Sequence, residues 1–211
     1  MTMPDTNPPA DAERRARLAR IIRWCVAATI SYNVIEAVIA IGAGQAADSA
    51  ALISFGLDSA IEVSSAAALA WQFSARDPEV REQREHLALR IIAGSFFALA
   101  AYVLAESALA LAGFRQAEES FVGIILAALS LLIMPVLSYA QRRAGRQLGS
   151  ASAVADSKQT LLCTYMSGFL LVGLGLNAWL GWVWADSLAA LIIAAIAVSE
   201  GVEAWRGDDC C

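Results

Sequence analysis

Residues Ser49 to Phe73 read SAALISFGLDSAIEVSSAAALAWQF, and this stretch decides how the chain folds. It is long enough for a helix that crosses a bilayer, which needs about 20 predominantly apolar residues. Asp58 and Glu62 lie near its middle, where an acidic side chain costs roughly 2.5–3.5 kcal/mol on insertion scales. Their i, i+4 spacing puts both on one helical face, about 6 Å apart along the axis. Because like charges so close repel each other, we expect a cation between them or a proton on one of them, and a metal ion is the simplest such cation.

The rest of the chain has the composition of a membrane protein. Of its 211 residues, 58% are hydrophobic and 17% are charged, whereas soluble domains have about 25% charged residues. The mean hydropathy is +0.57. Six apolar blocks have lengths suited to a bilayer span: Leu18–Gly44, Ser49–Phe73, Leu87–Gly113, Phe121–Tyr139, Ser152–Leu180 and Val183–Trp205. We therefore predict an all-α integral membrane protein with six transmembrane helices.

Arginine is unevenly distributed among the segments between these blocks. It clusters before the first block, between the second and third, and between the fourth and fifth, at Arg14, Arg15, Arg17, Arg20, Arg23, Arg76, Arg81, Arg84, Arg90, Arg142, Arg143 and Arg146. The first and fifth loops have no Lys or Arg, and the third has only Arg115. The positive-inside rule then places both termini in the cytoplasm. The predicted organisation is a flexible cytoplasmic segment at 1–17, a transmembrane domain at 18–205 and a short cytoplasmic tail at 206–211.

The fifth block carries a polar sequence, ADSKQTLLC, from Ala155 to Cys163. In this orientation the second helix enters from outside, so Asp58 lies about 13 Å into the membrane. The fifth helix enters from inside, and Gln159 reaches a similar depth from the opposite side. The sequence therefore predicts that Asp58, Glu62, Gln159 and Cys163 meet at one point and form a metal site.

Three segments resemble the cation diffusion facilitators, a family of six-helix divalent-metal transporters. The second helix, Ser49–Glu62, is similar to the family pattern Ser-Leu-Ala-Leu-Leu-Ala-Asp-Ala-Leu-His-Ser-x-x-Asp. The fifth, Ala155–Cys163 followed by Ser167, is similar to Ala-Asp-Ala-x-His-x-x-x-Asp. In the sixth, Ala185–Ile192 and the later Glu200-Gly201 match the family's Asp-Pro-hydrophobic-Ala and Glu-Gly.

The chain also departs from that family pattern. Gln159 and Cys163 stand where the family has histidine and aspartate, and the only histidine, His86, lies in a charged loop. The family's C-terminal cytoplasmic domain does not follow the sixth block. The resemblance therefore predicts a minimal, divergent member of the family.

The ligand types bear on which metal would bind. A Cys163 thiolate would favour zinc, whereas carboxylate and amide oxygens alone would suit harder ions such as manganese. The alternative for Cys163 is packing, because buried cysteine commonly behaves as a small hydrophobe. Gln159 offers only a neutral oxygen, so it either binds the ion or orients another ligand.

Four further charged residues lie in the predicted spans and are candidates for an ion or proton path: Glu36, Glu106, Asp156 and Lys158. For Glu36 and Glu106 the alternative is interhelical hydrogen bonding. Lys158 would either neutralise the nearby acids when the ion is absent or face a cytoplasmic vestibule.

The resemblance implies a homodimeric transporter that exports zinc or a similar divalent ion in exchange for protons. The preference for arginine over lysine and the high alanine content favour a bacterial source, so the expected location is the bacterial inner membrane. A membrane protein that binds metal as a sensor or partner subunit is the alternative. We expect no enzymatic activity, because no histidine lies near Cys163 to act as a base. The expected partners are the metal ion, protons and the lipid bilayer, with no separate cofactor and no nucleic acid.

Overall fold

The computed structural model describes residues 8–46, 50–112, 121–180 and 183–207, and they form six α-helices without a strand. The helices are α1 Pro8–Ala46, α2 Ala50–Ser74, α3 Pro78–Leu111, α4 Phe121–Leu148, α5 Ala151–Leu180 and α6 Val183–Arg206. Within the described residues, three segments are long and apolar enough to cross a membrane: Asp11–Ala46, Pro78–Leu109 and Phe121–Leu148. The predicted six-helix, all-α fold is confirmed.

Three helices extend beyond the apolar blocks of the sequence. Helix α1 begins at Pro8, so residues 8–17 are helical where the sequence predicts a flexible segment. Proline suits the first helical turn, and the alanine, glutamate and arginine that follow are strong helix formers. Helix α3 likewise begins at Pro78, and the Asp77 carboxylate caps it by accepting a hydrogen bond from the Glu79 N–H at 3.0 Å. Helix α4 continues to Leu148, because hydropathy detects the span and not the polar helical turns outside it.

The helices pack in two groups. Helices α1, α2, α4 and α5 form one group, in which α1 packs along α2 and α4 packs along α5. Helices α3 and α6 pair with each other and contact the first group through α2 and α5. The two principal apolar clusters follow this division: one draws on α1, α2, α4 and α5, and the other on α2, α3, α5 and α6. Helices α2 and α5 are common to both clusters and therefore lie at the centre of the bundle.

Two glycines allow close contact between helices. A Cβ added at Gly56 of α2 would lie 2.6 Å from Ile41 Cγ1 and 3.1 Å from the Ala37 carbonyl oxygen of α1. A Cβ at Gly201 of α6 would lie 2.9 Å from a ring carbon of Phe97 in α3. The α1–α2 and α3–α6 pairs thus each contain a position that only glycine fills without displacing a neighbour.

Large apolar side chains also cover much of the outer surface. Examples are Trp24 and Val38 on α1 and Leu132 and Val136 on α4, which are between 67% and 73% exposed. A soluble monomer rarely leaves such contiguous apolar surface in water. Polar side chains, in contrast, line the space between α2 and α5. This arrangement is typical of a membrane protein with a polar interior.

Candidate metal site

Asp58 and Glu62 both face the interior of the bundle. Their relative exposures are 4% and 2%, and the i, i+4 spacing on α2 places them on the same face. Exposed residues such as Leu57 lie on the other side of this helix. The two carboxylates therefore do not face lipid.

The polar face of α5 is directed toward the same interior. Its buried members recur at helical spacing: Asp156, Gln159, Thr160, Cys163, Thr164 and Ser167. Cys163 lies close enough to Glu62, Asp58 and Glu36 for their charges to act on its thiol, and Thr160 lies beside Glu62. The structure thus brings three of the four predicted ligands into one region, and Gln159 lies one turn before Cys163 on the same helix.

Several polar atoms in this region have no hydrogen-bond partner at standard distance and angle among the described residues, although the Cys163 thiol and the Thr160 hydroxyl lie beside Glu62. They are both carboxylate oxygens of Glu62, the Gln159 Oε1 and the Ser167 Oγ. Leaving a buried polar group unpartnered costs roughly 1–3 kcal/mol, and more for a charged group. Proteins usually avoid such a cost. These oxygens therefore indicate a place where an electron-pair acceptor, such as a metal ion, would bind.

The described side chains do not yet form a closed metal-binding cage. No group of three or more His, Cys, Asp and Glu residues among them is close enough to hold an ion together. A metal site here would therefore have to include the Gln159 amide oxygen or draw α2 and α5 closer around the ion.

Glu36 of α1 is fully hydrogen bonded. Its Oε1 accepts from the Tyr32 hydroxyl at 3.1 Å and the Ser130 hydroxyl at 2.5 Å, and its Oε2 accepts from Ser59 at 2.8 Å. These donors belong to α1, α4 and α2. Interhelical hydrogen bonding, the alternative considered for this residue, accounts for its burial.

Asp156 of α5 has a similar set of partners on other helices. The Ser65 hydroxyl of α2 donates to Oδ1 at 2.5 Å, and the Gln141 amide of α4 donates to Oδ2 at 2.8 Å. Asp156 therefore connects α2, α4 and α5 close to the candidate ligands. Neither Ser65 nor Gln141 is predicted from the sequence as part of this region, although a glutamine near an apolar span is a signal for an interhelical contact.

Lys158 faces away from these acids. Its Nζ lies 2.5 Å from Glu200 Oε2 and 2.8 Å from Glu203 Oε2, both on α6. Of the two alternatives for Lys158, the structure favours a position in a cleft near the helix ends and not a contact with the α2 carboxylates. The remaining candidate of the ion path, Glu106, belongs to α3, but its side chain is outside the described part of the structure.

Two comparisons with known proteins give matches that extend over most of the chain. A family model described as the cation efflux transmembrane domain matches residues 26–206. The chain is also similar to an uncharacterized transporter of Synechocystis sp., with 26% identity over 181 residues. The aligned part is 82% of this chain and 58% of that protein, so the chain spans less than two thirds of this relative's length.

Proposed function

The chain belongs to the cation efflux family, whose transmembrane domain covers residues 26–206, and on this premise we propose that it exports a divalent metal ion, with zinc as the favoured cargo, in exchange for protons. The membrane is the cell membrane, with both termini on its cytoplasmic side. The observation that carries this proposal is Glu62, a carboxylate buried near mid-membrane with both oxygens unpartnered among the described residues.

Each candidate ligand has a distinct role in this proposal. Asp58 and Glu62 supply the negative charge that offsets the dehydration of the ion. Cys163, a buried free cysteine, supplies a soft ligand that favours zinc over harder ions. Gln159 contributes the neutral oxygen whose lack of a partner supports a place beside the ion.

Glu36 and Asp156, whose carboxylates are hydrogen bonded to other helices, hold the helices around the site together. Glu36 holds α1, α2 and α4 together through three hydroxyl donors. Asp156 does the same for α2, α4 and α5. With the oxygens of these two carboxylates already occupied, Asp58 and Glu62 are the acids between α2 and α5 that remain available to an ion among the described side chains.

Proton exchange is expected because Asp58 and Glu62, unlike the other buried acids, have no partner among the described side chains that offsets their charge. In the described part of the chain, neither Asp58 nor Glu62 forms an ion pair; the ion pairs there are those of Lys158 with Glu200 and Glu203. Without a metal, a proton is the remaining cation that can neutralise a buried carboxylate. An arriving divalent ion would therefore displace protons, and their re-entry on the other side would reset the site.

The test is metal flux in proteoliposomes that contain the purified chain, a zinc-sensitive dye and a pH-sensitive dye. We expect zinc entry to be accompanied by proton exit, and an opposing proton gradient to accelerate zinc entry. Glu62→Gln should reduce the flux to the level of empty vesicles. The matched control is Glu82→Gln, since Glu82 is exposed on α3, and it should leave the flux unchanged.

Other outcomes would contradict parts of the proposal. Zinc flux that does not respond to the pH gradient would overturn proton coupling, and zinc binding without flux would favour the sensor or partner-subunit alternative. In the same vesicles, Cys163→Ser should lower the zinc-to-manganese flux ratio. An unchanged ratio would mean that Cys163 only packs.

A further inference from the structure

A lateral cleft lies between helices α4 and α6, away from the candidate metal site. Its polar lining consists of Arg142 and Arg146 of α4, Lys158 of α5, and Glu200 and Glu203 of α6. We call this the α4–α6 cleft. Its volume is about 60 Å³, and one bound water needs about 10–15 Å³ of such space. The cleft can therefore hold several water molecules or a polar group of comparable size.

The cleft opens toward the outer surface of the bundle. Ala151, Val154, Lys158, Leu161 and Tyr165 recur at spacings of three and four residues and form one face of α5. This face is half-buried from Ala151 to Leu161 and becomes exposed at Tyr165, which is 45% exposed. Because α5 packs against both α4 and α6, the face between them leads out of the cleft along an apolar surface.

The charges in the cleft do not cancel. Lys158 pairs with both Glu200 and Glu203, at 2.5 and 2.8 Å, so the two carboxylates already have a cation. Arg142 and Arg146 form no ion pair among the described residues, and the buried Nε of Arg142 has no acceptor there. Among the described residues, three cations thus face two carboxylates in the cleft, and the two cations without an ion pair there are guanidinium groups, which suit phosphate geometry.

The arginines lie at the level expected for lipid phosphates. Arg146 is in the last turn of α4, at the end of the bundle where the arginine clusters of the sequence lie. Trp205, near the end of α6, is 58% exposed, and the Arg90 guanidinium lies 5.7 Å from its ring centroid. Tryptophan is enriched at the membrane–water interface, so Trp205 indicates the headgroup level beside the cleft.

We infer that the α4–α6 cleft binds an anionic phospholipid of the leaflet at this end of the bundle. The phosphate meets Arg142 and Arg146, and an acyl chain follows the face of α5 past Leu161 and Tyr165. A divalent cation does not fit this cleft, since Lys158 occupies both carboxylates and the arginines repel a second cation. A free anion would use the arginines but leave the apolar face of α5 unused.

Native mass spectrometry of the full chain in detergent tests this inference. The protein is titrated with phosphatidylglycerol or phosphatidylcholine with identical acyl chains. We expect at least one phosphatidylglycerol molecule to bind about tenfold more tightly than phosphatidylcholine, since each basic residue near the surface favours anionic lipid. Arg142→Gln/Arg146→Gln should abolish the preference. Arg142→Lys/Arg146→Lys, which keeps the charge, should retain part of it.

The control has the same change in charge elsewhere. Arg14→Gln/Arg17→Gln removes two exposed arginines of α1 and should keep the preference. Equal affinity of the wild type for the two lipids would overturn the inference, as would an equal loss in the control. Displacement of phosphatidylglycerol by millimolar inorganic phosphate would also overturn it. If the double Gln variant does not fold, Arg146→Gln alone should weaken the preference, because Arg146 is exposed and its removal leaves no cavity.

Discussion

Glu36 and Glu62 are both buried glutamates of the bundle, but their surroundings differ. Three hydroxyl groups donate to Glu36, whereas neither oxygen of Glu62 has a partner among the described residues. Glu36→Gln replaces an acceptor oxygen with an amide that donates, so we expect it to lower the free energy of unfolding by about 1–3 kcal/mol. Glu62→Gln should leave this free energy nearly unchanged, because in the proposed metal-free state it replaces a protonated, neutral carboxyl group whose oxygens have no hydrogen-bond partner among the described residues. Thermal unfolding of the metal-free protein in detergent would measure both.

The same samples separate stability from binding. Glu62→Gln should lose zinc binding in calorimetry even though it melts no earlier than the wild type. The exposed Glu82→Gln controls for the removal of a charge. If Glu62→Gln destabilised the protein as much as Glu36→Gln, Glu62 would be part of the structural frame and not a free ligand.

At the scale of the helices, the contact between α1 and α2 depends on Gly56. The Cβ of an alanine there would lie 2.6 Å from Ile41 Cγ1 and 3.1 Å from the Ala37 carbonyl oxygen. The side chain of Ile41 can move, but the backbone oxygen of Ala37 cannot do so without shifting α1. We expect Gly56→Ala to lower the free energy of unfolding by about 1–3 kcal/mol, as overpacking does in other cores, and Gly56→Leu to lower it further.

Gly42 provides the matched control, because a Cβ there would have no atom within 4 Å. Gly42→Ala should be neutral or slightly stabilising, by up to about 1 kcal/mol, since alanine favours helix. Equal melting temperatures for Gly56→Ala and Gly42→Ala would mean that α1 and α2 are not in close contact at this position.

At the scale of the whole molecule, the arginine distribution predicts the orientation in the membrane. Gln45, Gln83 and Gln147 are all exposed near helix ends, so a cysteine at each should react with a membrane-impermeant maleimide from one side only. We expect Gln45→Cys to react from outside in intact cells. Gln83→Cys and Gln147→Cys should react only in inverted vesicles, because the arginines beside them stay in the cytoplasm.

The native cysteines require little change for this measurement. Cys25 and Cys163 are buried and should not react, so only Cys210 and Cys211 need replacement by serine. Labelling of Gln45→Cys and Gln83→Cys from the same side would contradict the alternation of the helices. The reverse pattern at all three positions would place the termini outside and reverse the proposed direction of transport.

Most of the fold could be predicted from the sequence, because its determinants are local. An apolar block of bilayer length specifies a helix wherever it stands, and the bounds of α5 and α6 lie within one residue of the predicted spans. Three aligned motifs were enough to predict the family, which the match over residues 26–206 confirms. The i, i+4 spacing also placed Asp58 and Glu62 on one face of α2. Hydropathy failed only at polar helix ends, such as the start of α1 at Pro8.

Only the tertiary structure decided which buried charged groups already have a hydrogen-bond or ion-pair partner. Glu36, Glu62 and Asp156 are all acids within the predicted spans, and no local pattern shows which of them has a partner. The donors to Glu36 come from as far along the chain as Ser130, and the carboxylates that pair with Lys158 belong to α6. Whether a buried carboxylate has a partner depends on which helices are neighbours and how each is rotated about its axis. Packing across the whole bundle sets both, and it left Glu62 without a partner among the described residues while Glu36 and Asp156 acquired theirs.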